Sequence, residues 1–312
     1  MKILIAYDGS PSADAAIEEM LKAGLPKIAE AHVLCVEAGN SSHSEGKAEE
    51  ESPGSWKAKS ADAEHLAAEA SGRIRSYFPQ WAISFEGLWG SPTKSILETS
   101  RWWHPDLIVA GSFGRSRMAR LFLGSVSLDL IHNAPCSVRI TRNARTSRVA
   151  GPIRILIGVD GSQEAEAAIR EVAARSWPEK TEAQIIAVVE TLVPAIGGLG
   201  ASTFAQEPAS RIIREVDERE RAWLKNIADE SANILRQAGL NVTSTVIDGD
   251  PREVILAKAK LWNADTIFVG ARGRGRVERL LLGSVSAHIL THAHCTVEVV
   301  RRSATSSGSK VA

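Results

Sequence analysis

Short apolar runs separated by polar and Ala-rich stretches make up the pattern of this chain. The runs Ile3–Tyr7 and Ile155–Val159 are almost wholly apolar, as expected of strands buried on both faces of a parallel sheet. Each run is followed by Asp-Gly-Ser and then by a helical stretch, Ala13–Ala23 or Glu164–Arg175. Strands that alternate with helices predict an α/β doubly wound fold.

The same order of elements occurs twice along the chain. In the first copy the pattern predicts a helix at Ala61–Tyr77. It also predicts four further strands at His32–Val36, Ile83–Leu88, Leu107–Ala110 and Ser137–Thr141. In the second copy the corresponding helix is predicted at Ala209–Ala238. The corresponding strands are predicted at Gln184–Val189, Val242–Ile247, Thr266–Val269 and Thr296–Val300. In the middle of each copy, Ser91 or Asp250 suits a helix N-cap, and the proline that follows suits the first helical position.

This repetition indicates a duplicated domain. Ile3–Ser10 recurs as Ile155–Ser162, and Asp106–Arg142 aligns without a gap to Asp265–Arg301. The offset between the copies grows from 152 to 159 residues, so the second copy is longer in its middle. We predict domains at 1–143 and 153–302, joined by a linker at 144–152 and followed by a frayed polar tail at 303–312.

The middle of each copy contains a variable segment. In the first copy this is Gly39–Ser60, which is rich in Ser, Glu, Gly and Lys and therefore predicts a mobile loop. In the second copy it is the Gly-rich stretch Pro194–Ser202.

Composition narrows the class of protein. Lys+Arg and Asp+Glu both total 37 in 312 residues, and this neutral balance argues against a nucleic-acid binder. The chain has three cysteines, a small and odd number that argues against a disulfide framework. No apolar run approaches the roughly 20 residues of a membrane span, and the N-terminus lacks a signal-peptide core. We therefore expect a soluble, cytoplasmic protein with no membrane or nucleic-acid partner.

A glycine-rich loop follows the fourth strand of each copy. Gly111–Ser125 and Gly270–Ser284 both read Gly-x-x-Gly, nine residues, then Gly-Ser. Glycines let backbone N–H groups approach a phosphate, and these amides attract anions together with a helix N-terminus. Such glycines can instead make only tight turns, but two loops with matching spacing favour anion binding. The lysine of the Gly-x-x-x-x-Gly-Lys-Ser/Thr P-loop is absent.

Charged residues accompany both loops. Asp8 and Asp160 end the first strands, where a carboxylate can accept hydrogen bonds from ribose hydroxyls, hold a phosphate-bound metal, or only organise the turn before the helix. Their position at the same sheet edge as the loops favours ligand contact. Six arginines between the glycine pairs either contact phosphate or form a solvated face: Arg115, Arg117, Arg120, Arg274, Arg276 and Arg279.

Taken together, these motifs resemble the ATP-binding signature of the universal stress protein family. The resemblance rests on both glycine loops, on Ile-x-x-x-Asp-Gly-Ser at each start, and on Ala-x-Cys-Ser/Thr-Val at each end. It covers nearly the whole chain. It implies two tandem adenine-nucleotide α-hydrolase-like (Rossmann-like) domains, each a five-stranded parallel sheet of order 3-2-1-4-5 with helices on both faces.

The resemblance also implies a ligand and its contacts. The ligand is ATP, with or without Mg²⁺, and it would bind at the carboxyl edge of each sheet. Asp8 and Asp160 would face the ribose, and Val36 and Val189 would meet adenine through their backbone. The residues implied for the phosphates are Gly111, Gly114, Gly124, Ser125 and Val126 in the first copy and Gly270, Gly273, Gly283, Ser284 and Val285 in the second.

The same resemblance implies how the copies associate and act. The two halves would form an intrachain pseudo-dimer through Ser137–Thr141 and Thr296–Val300, and a homodimer of whole chains stays open. We expect a nucleotide-dependent stress-response or signalling module without catalytic residues. The alternatives are a slow ATPase or phosphotransferase and a nucleotide-free interaction scaffold.

The copies differ inside the glycine turn. Phe113 stands where the second copy has Arg272. A bulky ring there could crowd a triphosphate, whereas a guanidinium could assist it. Our hypothesis is that the second site binds ATP more tightly.

The remaining candidates receive structural interpretations. His288 and His292 have the i, i+4 spacing of metal ligands, with His294 nearby, but the first copy has no match and we expect no metal site. Cys35, Cys136 and Cys295 are interpreted as small buried side chains. Trp103 and Trp262 occupy equivalent positions on the helix before the fourth strand and are expected to pack there.

Overall fold

The computed structural model describes residues 1–38, 58–114, 123–142, 152–190, 207–274 and 282–302. Several predictions fall outside these ranges: the linker up to residue 151, the segment Pro194–Ser202, the tail, and the arginines Arg115, Arg117, Arg120, Arg276 and Arg279. The chain divides into two compact units. The first contains residues 1–151, 175–178 and 294–312, and the second contains residues 152–174 and 179–293.

The first copy of the sequence forms these elements in order: β1 (Lys2–Tyr7), α1 (Pro11–Glu19) with a 3-10 turn at Met20–Lys22, β2 (Glu30–Ala38), β3 (Ala58–Lys59), α2 (Ala61–Tyr77), β4 (Ala82–Gly90), α3 (Pro92–Trp103), β5 (Leu107–Gly111), α4 (Ser125–Asn133) and β6 (Ser137–Thr141). The second copy forms β7 (Arg154–Val159), α5 (Gln163–Ala173), β8 (Glu182–Val189), α6 (Glu207–Gln237), β9 (Asn241–Asp248), α7 (Pro251–Trp262), β10 (Thr266–Gly270), α8 (Ser284–His292) and β11 (Thr296–Val300).

The sheet of the first unit is parallel over its five long strands, which lie in the order β4-β2-β1-β5-β6. One face of β1 buries Ile3 and Ile5 against Ile17 of α1 and Ala67 of α2. The strand β11 also belongs to this unit and pairs antiparallel with β6. Because the central strands are covered by helices, they consist of continuous apolar runs, as the sequence pattern predicts.

The sheet of the second unit is parallel in the order β10-β7-β8-β9. Its central strand β7 is buried along Ile155–Val159. The helix α6 is the longest in the described residues and packs on β8 and β9. The predicted α/β class of both copies is confirmed.

Side-chain caps fix where the helices begin. Ser91 and Asp250 accept hydrogen bonds from backbone amides of α3 and α7, and Pro92 and Pro251 occupy the first turns, as predicted. Three further serines cap α1, α2 and α5 in the same way: Ser10, Ser60 and Ser162.

The predicted mobile loop Gly39–Ser60 is wrong at its carboxyl end. Ala58 and Lys59 form β3, which pairs antiparallel with Trp89 and Leu88 of β4. Because β4 is otherwise an edge strand with unpaired backbone groups, this two-residue pairing satisfies part of that edge. Residues 39–57 of the predicted loop lie outside the described ranges.

No helix in the described parts of the chain is both long enough and apolar enough to cross a membrane.

Candidate functional site

A cavity of about 550 Å³ opens in the second unit where β7, β8 and β10 end. This is the carboxyl edge of a parallel sheet, where open α/β sheets bind ligands. Residues from these strand ends and from α7 and α8 line it, among them Asp160, Ile186, Val188, Glu190, Pro251, Ile255, Gly270, Gly273, Ser284, Val285 and Ser286. The structure therefore brings together five of the predicted site residues of this copy: Asp160, Gly270, Gly273, Ser284 and Val285.

The carboxylate of Asp160 organises the floor of the site. Its Oδ1 accepts a hydrogen bond from the amide of Ser162 at 2.9 Å, and its Oδ2 accepts one from the amide of Arg274 at 3.1 Å. Asp8 repeats the first contact with the amide of Ser10 at 3.0 Å. These contacts show that each aspartate shapes its turn, and Asp160 also lines the cavity.

Two glycines of each loop allow close approaches that a side chain would prevent. A Cβ on Gly270 would lie 2.7 Å from the backbone of Glu164, so this glycine lets β10 pack directly against the start of α5. A Cβ on Gly273 would lie 2.7 Å from Oδ2 of Asp160, and one on Gly114 would lie 3.0 Å from Oδ2 of Asp8. The second glycine thus allows the loop to close over the aspartate.

The third glycine is a helix N-cap. Gly283 precedes α8 and supplies no side-chain acceptor, while its own amide donates to the carbonyl of Ala271 at 2.7 Å. The first amides of a helix have no intrahelical acceptor and carry the positive end of the helix dipole. In α8 these are the amides of Ser284, Val285 and Ser286, three residues that line the cavity. Gly124 caps α4 in the same way. The amides of Gly283 and Gly124 are thus engaged within the protein.

One residue of each helix start was missed by the sequence reasoning. The hydroxyl of Ser286 donates to the carbonyl of Gly270 at 2.6 Å, and that of Ser127 donates to Gly111 at 2.8 Å. Each bond ties the helix start to the end of the preceding strand. The signal was available, because Gly-Ser-Val-Ser occurs identically in both copies.

Both described arginines of the second loop are held by carboxylates. Arg272 pairs with Glu164 at 2.8 Å. Arg274 pairs with Glu220 of α6 at 2.7 Å and lies over the ring of Trp223, 4.8 Å from its centroid. Since both guanidinium groups are nearly half-exposed, these pairs are open to competition from a bound anion.

The first copy uses the equivalent turn differently. The carbonyl contact of the turn is common to both copies, since Phe113 accepts from the hydroxyl of Ser10 and Arg272 accepts from that of Ser162, each at 3.2 Å. The difference lies at the amide of Phe113, which donates to the hydroxyl of Ser12 at 3.2 Å. In the second copy Glu164 stands in place of Ser12 and reaches Arg272 instead. The Phe113 amide is thereby committed to the protein in this copy.

The remaining predicted ligand contacts are placed as follows. Val36 is buried in β2, two residues before the strand ends at Ala38. Val189 is buried at the end of β8, and its carbonyl accepts from Gly249 at 3.0 Å. In the second copy Val188 and Glu190, the neighbours of Val189, line the cavity. Ser125 is exposed and Val126 half-buried at the start of α4.

The histidine cluster lies on α8, with the rings of His288 and His292 stacked at 4.1 Å and His288 3.6 Å from Glu253. Within the described ranges, no three His, Cys, Asp or Glu side chains are arranged to hold a metal ion. Cys35 and Cys295 are buried as predicted, and Cys136 is only partly so.

The fold and the site define a duplicated Rossmann-like α/β protein with a glycine loop and a helix N-terminus at the carboxyl edge of the sheet. The chain belongs to the universal stress protein family, whose model matches residues 1–142 and 153–301. This confirms the resemblance that the sequence motifs indicated.

Known relatives extend over most of the chain. Universal stress protein Rv2005c of Mycobacterium tuberculosis is 29% identical over 248 residues, which are 78% of this chain and 76% of that protein. The crystal structure of a universal stress protein from Archaeoglobus fulgidus has a TM-score of 0.60 at 21% identity and covers 96% of this chain and 98% of its own. A functionally unknown protein from Pseudomonas aeruginosa, PA1789, has a TM-score of 0.66 at 16% identity, covering 97% and 92% of the two chains. The two structures support the fold.

Proposed function

We propose that the second copy binds ATP in the 550 Å³ cavity and that the protein acts as a nucleotide-dependent stress-response or signalling module. The observation that carries this proposal is the convergence of Asp160, the Gly270–Gly273 turn and the start of α8 on one cavity of ligand size. Amides at a helix N-terminus favour a polyanion, and a neighbouring apolar wall favours a ring system.

Each part of ATP has a complementary surface in this cavity. The triphosphate would lie against the amides of Ser284, Val285 and Ser286. The base would lie among the apolar residues Ile186, Val188, Pro251 and Ile255. Asp160 and Glu190 would accept hydrogen bonds from the ribose hydroxyls. A Mg²⁺ ion would enter with the triphosphate, since magnesium sites commonly combine phosphates with one or two carboxylates.

We propose that the first copy is a second and weaker ATP site. It keeps Asp8, Gly111, Gly114 and a start of α4 that has no side-chain cap. The amide of Phe113 is already bonded to Ser12, so it is not available to a phosphate. The second copy is therefore the principal site in this proposal.

The output of binding would be a conformation or a partner surface and not a chemical product. No residue in the described site is paired with a base as an activated nucleophile would be. We also propose that the protein is cytoplasmic, because Cys35, Cys136 and Cys295 form no disulfide and so suit a reducing compartment.

A thermal melt of the full chain with and without ATP and Mg²⁺ tests the proposal. A ligand at about 100 times its dissociation constant adds about 2.7 kcal/mol of stability, which corresponds to an upward shift of about 5–10 °C for a domain of this size. No shift with millimolar ATP would contradict the proposal and favour a nucleotide-free scaffold. ADP accumulating over hours, with wild type but not with a binding-deficient variant, would contradict the assignment as a non-enzyme.

The variant Ser284→Pro tests whether the triphosphate of ATP lies at the start of α8. Proline suits the first position of a helix, and the extended backbone of Gly283 (ψ 153°) suits the residue before proline, so the fold should tolerate the change. It removes one amide and one hydroxyl from the cavity. We expect most of the ATP-dependent shift to disappear while the melting temperature without ATP stays unchanged. Ser125→Pro makes the same change in the first copy and should retain most of the shift.

A further inference from the structure

The strands β6 and β11 pair in a register that is symmetric about one residue pair. Arg139 lies opposite Glu298, with Val138 opposite Val299 and Ile140 opposite Val297. Positions 139 and 298 are equivalent in the two copies, since both lie in the gapless alignment with an offset of 159. If either strand paired with a second copy of itself in this register, Arg139 would face Arg139 or Glu298 would face Glu298.

These two charged side chains are completely buried. Both are 0% exposed, and Nη1 of Arg139 donates to Oε2 of Glu298 at 3.1 Å. A buried charge is strongly unfavourable unless an opposite charge and hydrogen bonds compensate it. Two like charges at this position would therefore disfavour strand pairing, while the opposite pair permits it.

A second guanidinium makes the arrangement more asymmetric. The side chain of Arg175 is 2% exposed. It donates from Nη1 to Oε2 of Glu298 at 3.0 Å and pairs again through Nη2 with Oε1. It also donates to the carbonyl of Ala23 at 2.9 Å. Ala23 is the residue of the first copy that is equivalent to Arg175. The first copy thus brings Arg139 to this cluster, whereas the second brings Glu298 and Arg175.

We propose that the charges of Arg139 and Glu298 make the last strands of the two copies select each other and reject a second copy of themselves. The partner that fits β6 is the chain's own β11. The flanking residues Val138, Ile140, Val297 and Val299 are all β-branched and uncharged, so they carry no charge that would distinguish one partner strand from another. The charged pair therefore determines which strands associate, while the apolar residues stabilise the interface without selecting a partner.

Charge reversals in the full-length chain imitate the rejected pairings. Glu298→Arg creates an Arg–Arg pair, as in β6 with itself, and Arg139→Glu creates a Glu–Glu pair, as in β11 with itself. We expect amide hydrogen exchange in β6 and β11 to become at least about a hundredfold faster in both variants. Glu298→Arg should have the larger effect, because it removes the carboxylate that both Arg139 and Arg175 bind and adds a third guanidinium, whereas the Glu–Glu variant keeps Arg175.

The double reversal Arg139→Glu/Glu298→Arg is decisive. It restores an opposite pair, so protection should recover by at least about tenfold over the sum of the single effects. Recovery should remain incomplete, since Arg175 then faces the guanidinium introduced at position 298. Additive losses in the double variant, or unchanged exchange in both single variants, would overturn the proposal.

If a charge-reversal variant does not fold, neutral substitutions at the same positions test the proposal instead. Arg139→Gln, Glu298→Gln and their combination form the same cycle with neutral side chains, and the combination should again lose less than the sum. Arg170→Glu is the matched control, because Arg170 forms an exposed ion pair with Glu166. Its reversal should alter exchange in β6 less than about fivefold.

Discussion

Individual side chains decide how open the proposed site is to a polyanion. Arg274 has a backbone amide bonded to Asp160 and a guanidinium held between Glu220 and Trp223. A phosphate that uses this guanidinium must compete with the carboxylate of Glu220. The residue is therefore available to a ligand, but at the cost of an existing ion pair.

Glu220→Ala should strengthen ATP binding. The substitution removes the competitor of the phosphate while leaving Arg274 stacked on Trp223. Because a partly exposed ion pair contributes up to about 1 kcal/mol, affinity should rise by no more than about fivefold. Isothermal titration at low salt measures the change.

Glu218→Ala provides the matched control for this experiment. Glu218 is exposed on the same helix, so its loss changes the net charge equally without touching Arg274. An equal gain in both variants would mean that the effect is a general electrostatic one, and the specific role of Glu220 would then be rejected.

Burial also sets the reactivity of a thiol. Desolvation raises the pKa of Cys136 to about 12 from 9.0 for an ordinary thiol. The raised value keeps the group protonated, so its thiolate fraction near pH 8 falls by about a thousandfold. Iodoacetamide should label Cys136 at pH 8 far more slowly in the folded protein than in urea, as followed by peptide mass spectrometry. Labelling at equal rates in both states would contradict the burial.

Sequence reasoning identified the residues that the duplication marks twice. Asp160 and Gly273 have counterparts in Asp8 and Gly114, and the structure places each aspartate beside its glycine. Glu220 was not predicted, because it contacts a residue 54 positions away and has no periodic or repeated signal. Contacts of this kind depend on how a helix is placed on the sheet, which a local pattern does not encode.

At the scale of elements, apolar periodicity predicted strands and helices well because both sheets are buried by helices. The long helix α2 was predicted at its observed bounds, whereas β3 was missed. Two residues are too few for a periodic signal, and β3 exists only because Leu88 and Trp89 of β4 offer an open edge. Strand pairing of this kind is tertiary information.

Two glycines near α2 should respond oppositely to alanine. A Cβ on Gly87 of β4 would lie 2.0 Å from the backbone nitrogen of Glu64, so Gly87→Ala must push α2 away from the sheet. We expect a loss of more than about 2 kcal/mol in the free energy of unfolding. A Cβ on Gly72 would meet no atom within 4 Å, so Gly72→Ala should stabilise the helix by up to about 1 kcal/mol.

Urea denaturation of the two alanine variants measures both effects on the same helix. The pair serves as its own control, since the chemical change is identical and only the surroundings differ. A similar small effect at both positions would show that α2 does not pack on β4 through Gly87.

At the scale of the whole molecule, the duplication made the fold class and the family predictable from sequence. It did not reveal how the copies diverge, because divergence lies in single substitutions whose effect depends on their neighbours. Phe113 and Arg272 differ in the sequence, but their distinct hydrogen bonds follow from Ser12 in one copy and Glu164 in the other. The two copies thus share one fold, while their glycine turns make different contacts.

This difference predicts two classes of ATP site in one chain. Titration calorimetry of the full-length protein should resolve a tighter site in the second copy and a weaker one in the first. Gly273→Val should remove the tighter site, because a Cβ at this position lies 2.7 Å from Oδ2 of Asp160 and forces the carboxylate or the loop to move. Gly114→Val makes the equivalent change in the first copy and should remove only the weaker site. Loss of the tighter site in Gly114→Val would reverse the assignment, and equal affinities in the wild type would refute the asymmetry derived from Phe113.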